Sequence, residues 1–432
     1  MPKRSLASWL RTLEHQHPIE IDLGTKRVAE VWARMQRLLH ESVGNHKNSE
    51  KALTISVAGT NGKGSCVASM EAILLGHGYS VGAFTSPHFL AYNERIRIAG
   101  QPVRDEVLID AFEQISLSSG SISLTYFEYG TLAALWIFAR AQLHVTLLEV
   151  GLGGRLDAVN IVDADVAVVT NIALDHQEWL GDTVEQIAVE KLAIARPQKP
   201  LIWGDRGTLE SLQAKIIETG ARVYQVGRDF YAESADGQAT LFYQSFEMPM
   251  TLTAIDAGGL LIDNKATALQ ALLAAGLRLD DDLCRQALNE VSLTGRYQQL
   301  TYCGVRVVLD VAHNPAAAAQ LASRLSQWRG RQLAIASVLK DKDWDGIVGA
   351  LSSAIDRWYI AEISTSVRAV DAHELLQVMY NRDIDVSSYE SISAAFFAAI
   401  AEAAEGDSVV VLGSFHTVSC VLNIIFSGEP VD

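Results

Sequence analysis

A glycine-rich run, Val57-Ala-Gly-Thr-Asn-Gly-Lys-Gly-Ser65, lies between an apolar, β-rich stretch (Leu53, Ile55, Val57) and a helical pattern (Val67, Met70, Ile73, Leu74). Strand, tight turn and helix in that order make a phosphate cradle. The glycines let backbone N–H groups close around oxyanions, the helix N-terminus adds partial positive charge, and Lys63 supplies a full one. The usual P-loop pattern is only partly met, because Val57 stands where its first glycine belongs and Gly64 follows the lysine in place of Ser or Thr. The alternative is a tight strand-to-helix connection. A lysine between two glycines at a helix start decides for a nucleotide, and ATP is the expected ligand.

Helical and strand patterns alternate along most of the chain. Val28, Val31, Trp32, Met35, Leu38 and Leu39 mark one face of a helix over 25–39. Continuous apolar strands are expected at 80–84, 144–150 and 165–170, with helices at 127–142 and 183–195. Such strands between helices imply an α/β fold with a mainly parallel sheet covered on both faces. From 224 to 261 the residues alternate polar and apolar between Asp-Gly and Gly-Gly turns, which predicts a small antiparallel patch. After Gly295-Arg-Tyr-Gln298 the α/β alternation restarts, with strands at 305–309, 332–338 and 408–412 and helices at 315–328, from 344, and near 418–425. This second run is long enough for its own core, so a domain boundary is expected near 295.

The net charge of −16 argues against nucleic acid or an anionic membrane as partner, since both require a basic face. Small anionic substrates need only local cations or a metal. With 49% apolar and 20% charged residues the chain is too apolar for disorder, and its 432 residues allow about two or three domains. Cys66, Cys284, Cys303 and Cys420 lack any metal-binding spacing and read as free thiols of a reducing compartment. Lys3 and Arg4 precede a segment too short and polar for an export signal, and the apolar stretch 132–139 falls short of a membrane span. The expectation is a cytoplasmic protein.

In open parallel sheets ligands sit beyond the carboxyl ends of the strands. Four polar clusters fall there: Thr85-Ser-Pro-His88; Glu149 with Gly151-Leu-Gly-Gly-Arg-Leu-Asp157; Asn171 with Leu174-Asp-His176; and Asp310-Val-Ala-His-Asn-Pro315. Ser86, Glu149 and His176 could together hold Mg²⁺ beside phosphates, although a nitrogen ligand is unusual for that ion. Each has a plainer alternative. Ser86 before Pro87 reads as a turn residue, His176 as a hydrogen-bonded loop histidine, and Arg155 with Asp157 as a surface pair. Asp310 and His313 read as parts of a helix cap. Glu149 is harder to set aside, because a buried carboxylate needs a cation or donors.

Taken in order, VAGTNGKGS, TSPH, LTYFEYGT (124–131), LEVGLGGRLDAVN (148–160), LDHQEWLG (174–181), GRYQ (295–298), DVAHNP (310–315) and GSFHTV (413–418) resemble the folylpolyglutamate synthases. The likeness is closer to the bacterial bifunctional dihydrofolate synthase/folylpolyglutamate synthases, relatives of the Mur peptide ligases. The resemblance implies an N-terminal P-loop ATPase-type domain with a pteroate site (1–295) and a smaller C-terminal Rossmann-like glutamate-ligase domain (296–432). It assigns ATP to Thr60, Asn61, Gly62, Lys63, Asn264, Arg296 and Asp310, and Mg²⁺ to Ser86, Glu149 and His176. Pteroate falls to Asp22, Leu23, Gly24, Thr125, Tyr126, Phe127, Glu128, Leu156, Asp157 and Ala158, and glutamate to His313 and Ser414.

Lys191 matches a lysine carbamylated in relatives. That reaction needs a neutral amine, which for a lysine of ordinary pKa near ~10.4 costs about 4–5 kcal/mol at pH 7. The alternative is a surface lysine, and Leu192 and Ala193 depart from the residues common there. The implied substrates are ATP, L-glutamate, dihydropteroate and reduced folates; K⁺ is a further candidate ion, and a monomer is implied. The implied reaction activates a carboxylate as an acyl phosphate for attack by the glutamate amine, with Lys63, Lys191, Asp310 and His313 as the catalytic candidates. Rival readings are a Mur-type ligase acting on a UDP-linked sugar, a P-loop small-molecule kinase and a non-catalytic nucleotide switch. LTYFEYGT and the short segment before the phosphate loop disfavour the first. DVAHNP and GSFHTV are unexplained by the second.

Overall fold

Apolar residues dominate the central strands of the N-terminal sheet because both faces of that sheet are buried. The computed structural model describes residues 4–19, 21–43, 51–207, 210–245, 248–363 and 369–428. They fall into two units, Met1–Ile172 with Trp179–Val291, and Ala173–Glu178 with Ser292–Asp432.

Eight described strands of the first unit are β1 (Leu53–Ala58), β2 (Val81–Phe84), β3 (Ile96–Ile98), β4 (Gln101–Pro102), β5 (Val145–Glu149), β6 (Val166–Val169), β7 (Pro200–Trp203) and β8 (Arg222–Gln225). They form one sheet in the order β4-β3-β2-β5-β1-β6-β7-β8. From β2 to β8 the pairing is parallel, and β3 and β4 add an antiparallel edge. On β6, Val166 and Val168 enter one hydrophobic cluster while Ala167 and Val169 enter the other. A core on each side favours apolar side chains at successive positions, as in the Val-Ala-Val-Val run of β6.

The helices Leu6–Gln16, Asp105–Ser119 and Tyr126–Arg140 pack on one face. The other face holds Lys63–Gly76, Ile262–Ala274 and Asp281–Glu290. Here also lies the expected antiparallel patch, β9 (Tyr231–Ala235), β10 (Gln238–Ser245) and β11 (Met248–Asp256), in the order β11-β10-β9. The helix Lys63–Gly76 is apolar nearly all round and buried along most of its length. Its Glu71 is buried as well and takes Arg97 Nη2 of β3 at 2.7 Å. The same guanidinium reaches Thr85 Oγ1 at 2.9 Å and the Glu94 carbonyl at 3.1 Å, so it fixes the segment that follows β2.

The second unit has six described strands, β12 (Gln298–Tyr302), β13 (Val305–Leu309), β14 (Gln332–Ala336), β15 (Arg357–Ala361), β16 (Val386–Tyr389) and β17 (Ser408–Leu412). Their order is β12-β13-β17-β14-β15-β16, parallel except for β12 against β13. Helices mostly follow the sequence expectation with shorter ends, for example Val184–Leu192 and Pro315–Leu325. All four cysteines are free, and no helix among the described residues is long and apolar enough to cross a membrane.

Glu71→Ala should leave the Arg97 charge without its partner and lower stability by ~2–4 kcal/mol, less than for a wholly buried pair because Arg97 keeps some solvent contact. The urea midpoint of the variant against the unaltered protein checks this; equal midpoints would mean that the pair contributes nothing.

Candidate active site

Beyond Ala58 the backbone turns into the glycine-rich loop and the helix Lys63–Gly76 starts at once. At Gly59, with φ of 149°, an added Cβ would fall 1.9 Å from Thr170 Oγ1. Gly62 is left-handed at φ 84° and would place a Cβ 2.6 Å from Asn264 Oδ1. Both positions therefore require glycine, one for close approach and one for backbone conformation as well. Thr60 N–H donates to the Asn171 carbonyl at 2.9 Å and Asn61 N–H to Asn171 Oδ1 at 2.7 Å, so β6 pins the loop. A helix N-terminus at this point favours an anion through its dipole. Lys63 Nζ lies 3.0 Å from the Gly59 carbonyl and 3.2 Å from that of Thr60. Lys191 is buried, not a surface lysine, and its Nζ donates to the same Gly59 carbonyl at 3.1 Å. Two amino groups thus meet at one carbonyl oxygen.

At the end of β5, Glu149 is buried, and its Oε2 accepts the Ser86 N–H at 3.2 Å. A buried carboxylate beside a half-buried hydroxyl suits a hard divalent cation. His176 belongs to the second unit and sits at φ 53°. Burial lowers its pKa to about 4, with Asp175 opposing and the Lys342 and His313 charges adding to the fall. The ring is then neutral at pH 7, the form that ligates metals. Among the described residues no three His, Cys, Asp or Glu side chains converge as a metal cluster; Mg²⁺ commonly uses one or two carboxylates and substrate phosphates.

The residues assigned to pteroate gather at one end of the first unit. Thr125 and Glu128 form a capping box at the start of Tyr126–Arg140, each side chain holding the other's backbone N–H. Glu128 is buried and takes Arg27 Nε at 2.8 Å, and Arg27 also clasps the Asp22 carboxylate and carbonyl. His17 Nε2 lies 3.2 Å from Asp22 Oδ2. Leu23 is half-buried between Asp22 and Gly24, and Gly24 N–H donates to the Leu156 carbonyl at 3.1 Å. Tyr126 meets Tyr92 edge-on, and Phe127 packs on Phe84 and over Gly151. Asp157 is buried and does not pair with Arg155, which binds Glu190 instead. It accepts N–H groups from Gly151, Leu152 and Val159, and so shapes the loop up to Ala158. Burial pushes its pKa up to about 6 against those three donors and the Lys63 charge.

In the second unit the loop after β13 has Asn314, not Asp310 or His313, as the helix cap, accepting Ala317 N–H at 3.0 Å. Asp310 instead accepts N–H groups from Tyr297 at 2.8 Å and Ala312 at 2.9 Å. Burial raises its carboxyl above the ordinary range against the Arg296 charge and these two donors. Arg296 lies 5.1 Å over the Phe415 ring, and His313 is 6.5 Å from the same ring. Ser414, next to Phe415, caps the last helix through Thr417 N–H. His313 Nδ1 bonds the Val311 carbonyl at 2.7 Å, and its Nε2 is 3.3 Å from Asp175 Oδ2. Asp175 also takes Lys342 Nζ at 2.8 Å and Asn314 Nδ2 at 3.3 Å. Burial pushes its carboxyl up, but the His313 hydrogen bond and the His313, His176 and Lys342 charges prevail and hold it well below the usual range.

Comparison with known proteins addresses the identity of this arrangement. Residues 57–265 match the Mur ligase middle domain and 295–415 the Mur ligase glutamate ligase domain. The chain is 42% identical over 429 residues to the dihydrofolate synthase/folylpolyglutamate synthase of Escherichia coli K12, covering 97% of this chain and 95% of that one. It belongs to the dihydrofolate synthase/folylpolyglutamate synthase family. A structure of E. coli FolC in complex with DHPP and ADP is similar with a TM-score of 0.90 and 41% identity, covering 99% of this chain and 100% of that one. A bifunctional folylpolyglutamate synthase/dihydrofolate synthase with Mn, AMPPNP and L-glutamate bound is similar at 0.86 and 39%, covering 97% of both.

None of the motifs quoted from the sequence contains Arg27, His17 or Lys342. Arg27 opens a helix whose exposed face carries many charges, and Lys342 sits in a Lys-Asp-Lys-Asp run that reads as a solvated loop. In this family member Asp157 holds its proton more tightly when folded, with a pKa near 6 against the ordinary 3.8. Its contribution to stability is therefore complete below about pH 4 and is lost as pH rises through 6. Asp157→Asn should flatten this part of the profile by about 2–3 kcal/mol between pH 4 and 7, read from urea unfolding at the two pH values. Parallel profiles for the two proteins would refute the assignment.

Proposed function

We propose that the protein is an ATP-dependent ligase that adds L-glutamate to dihydropteroate, giving dihydrofolate, and further glutamates to reduced folates. The observation that carries this reading is the meeting of Lys63 and buried Lys191 at the Gly59 carbonyl of the glycine-rich loop. That geometry suits ATP phosphates at Thr60, Asn61, Gly62 and Lys63, with Asn264 against Gly62, and a carbamylated Lys191. Asp22, Leu23, Gly24, Thr125, Tyr126, Phe127, Glu128, Leu156, Asp157 and Ala158 would hold the pteroate. Support comes from relatives whose structures contain DHPP and ADP, or Mn, AMPPNP and L-glutamate. Residues 1–295 would act as the ATP and pteroate domain and 296–432 as the glutamate-ligase domain.

A carboxylate does not form an amide with an amine in water without activation. ATP would phosphorylate the acceptor carboxylate, and the glutamate amine would displace phosphate from the acyl phosphate. Lys63 and Arg296 would stabilise charge on the transferring phosphoryl group. Mg²⁺, held by Ser86, Glu149 and His176, would supply further charge neutralisation. His313 and Ser414 would hold L-glutamate, and Asp310 or His313 would take the ammonium proton. Positioning the two substrates can lower the barrier by roughly 7–11 kcal/mol. K⁺ would be a second ion, and the working form would be a cytoplasmic monomer.

Phosphate release from ATP with Mg²⁺ and L-glutamate, compared with dihydropteroate, tetrahydrofolate and a UDP-acetylmuramoyl acceptor, tests the reading. Turnover is expected with both pterins, and Lys63→Ala should reduce it by ~100-fold or more. Turnover with tetrahydrofolate alone would leave a chain-extending synthase. Release with the UDP-sugar alone would overturn the pteroate site.

A further inference from the structure

Arg95 closes the short 3-10 turn Tyr92–Arg95 and leads into β3. It is 9% exposed. Its Nε donates to His88 Nδ1 at 2.8 Å, and its guanidinium carbon lies 5.3 Å from the ring centroids of both Tyr92 and Tyr126. Its backbone carbonyl accepts the N–H of Thr85 at 2.9 Å, the residue before Ser86. The side chain therefore stands between the loop that carries Ser86 and the helix start that carries Tyr126, Phe127 and Glu128.

Neighbouring arginines are neutralised. Arg27 pairs with Asp22 and Glu128, and Arg97 with Glu71. Among the described residues no carboxylate pairs with Arg95. The adjacent Glu94 is committed elsewhere, accepting the N–H groups of Phe89, Leu90 and Ala91 at 2.8, 2.8 and 2.7 Å. His88 accepts from Arg95 and so contributes a lone pair, not a negative charge. Two aromatic faces return only about 2 kcal/mol to a desolvated guanidinium, well short of what removing it from water costs. A buried cation compensated by two rings and one neutral acceptor is suited to an anion brought by a substrate.

The two acceptors in the proposed reaction differ in just such a group. Dihydropteroate carries a single carboxylate, the one that reacts. A folate acceptor carries an α-carboxylate beside the reacting γ-carboxylate. We propose that Arg95 binds the α-carboxylate of the glutamate already attached to a folate acceptor, and so serves chain extension more than first-glutamate addition. This rests on the reading given under Proposed function.

The test uses the full chain with ATP, Mg²⁺ and L-glutamate, and compares unaltered protein, Arg95→Gln and Arg95→Lys on dihydropteroate and tetrahydrofolate. Arg95→Gln should lose ~10- to 100-fold more kcat/KM with tetrahydrofolate than with dihydropteroate, mainly through KM, and Arg95→Lys should recover part of it. Equal losses on both acceptors, or none on either, would overturn the proposal. A tetrahydrofolate amidated at its α-carboxylate probes the same contact without a substitution. The unaltered protein should disfavour it by a similar factor and Arg95→Gln should not; no discrimination by the unaltered protein would also overturn the proposal. Absence of turnover with either pterin in the unaltered protein would instead remove the underlying ligase reading, a distinct result.

Discussion

Gly59 lies so close to Thr170 that no side chain fits between them, and much of the first unit's chemistry follows from that approach. With β1 and β6 side by side, Asn171 can take the N–H groups of both Thr60 and Asn61. The loop is thereby tied at its first half, and its second half is free to open directly into the helix at Lys63. Lys63 reaches the Gly59 carbonyl from four residues away and Lys191 from 132. A larger residue at 59 would separate the strands, and the lysines would lose their common acceptor.

Charge in this acidic chain is handled locally. The net −16 describes the surface and says little about the interior, where carboxylates are assigned individually to donors. Glu71 is matched to Arg97, Glu128 to Arg27 and its own capping box, Asp157 to three backbone N–H groups, and Asp175 to Lys342, Asn314 and His313. Each match removes the cost of an unpaired buried charge. The matches of Glu71, Asp157 and Asp175 each hold a segment that follows a strand, and that of Glu128 holds a helix start, so the pairs that satisfy the interior also hold candidate residues in place.

Several plainer readings of single residues fail for the same reason. Arg155 and Asp157 are two residues apart, yet Asp157 is drawn inward by backbone donors while Arg155 turns out to Glu190. Asp310 precedes a helix but gives its oxygens to Tyr297 and Ala312, leaving the cap to Asn314. Proximity in sequence proposes a partner, and unsatisfied buried N–H groups choose it.

Features set by local chemistry were legible in the chain itself. Unbroken apolar strands announced a sheet buried on both faces, glycine beside lysine announced a turn into a helix, and Asp-Gly turns with alternation announced the antiparallel patch. These depend on periods of a few residues and on the backbone freedom of glycine, which the sequence states directly. Lys191 meeting Gly59, Arg27 joining Asp22 to Glu128, and Ala173–Glu178 joining the second unit were decided only by tertiary structure. Such partners are separated by up to more than a hundred residues, and a lysine destined for burial is written with the same letter as one in water. Which of the two it becomes depends on the walls that packing builds around it.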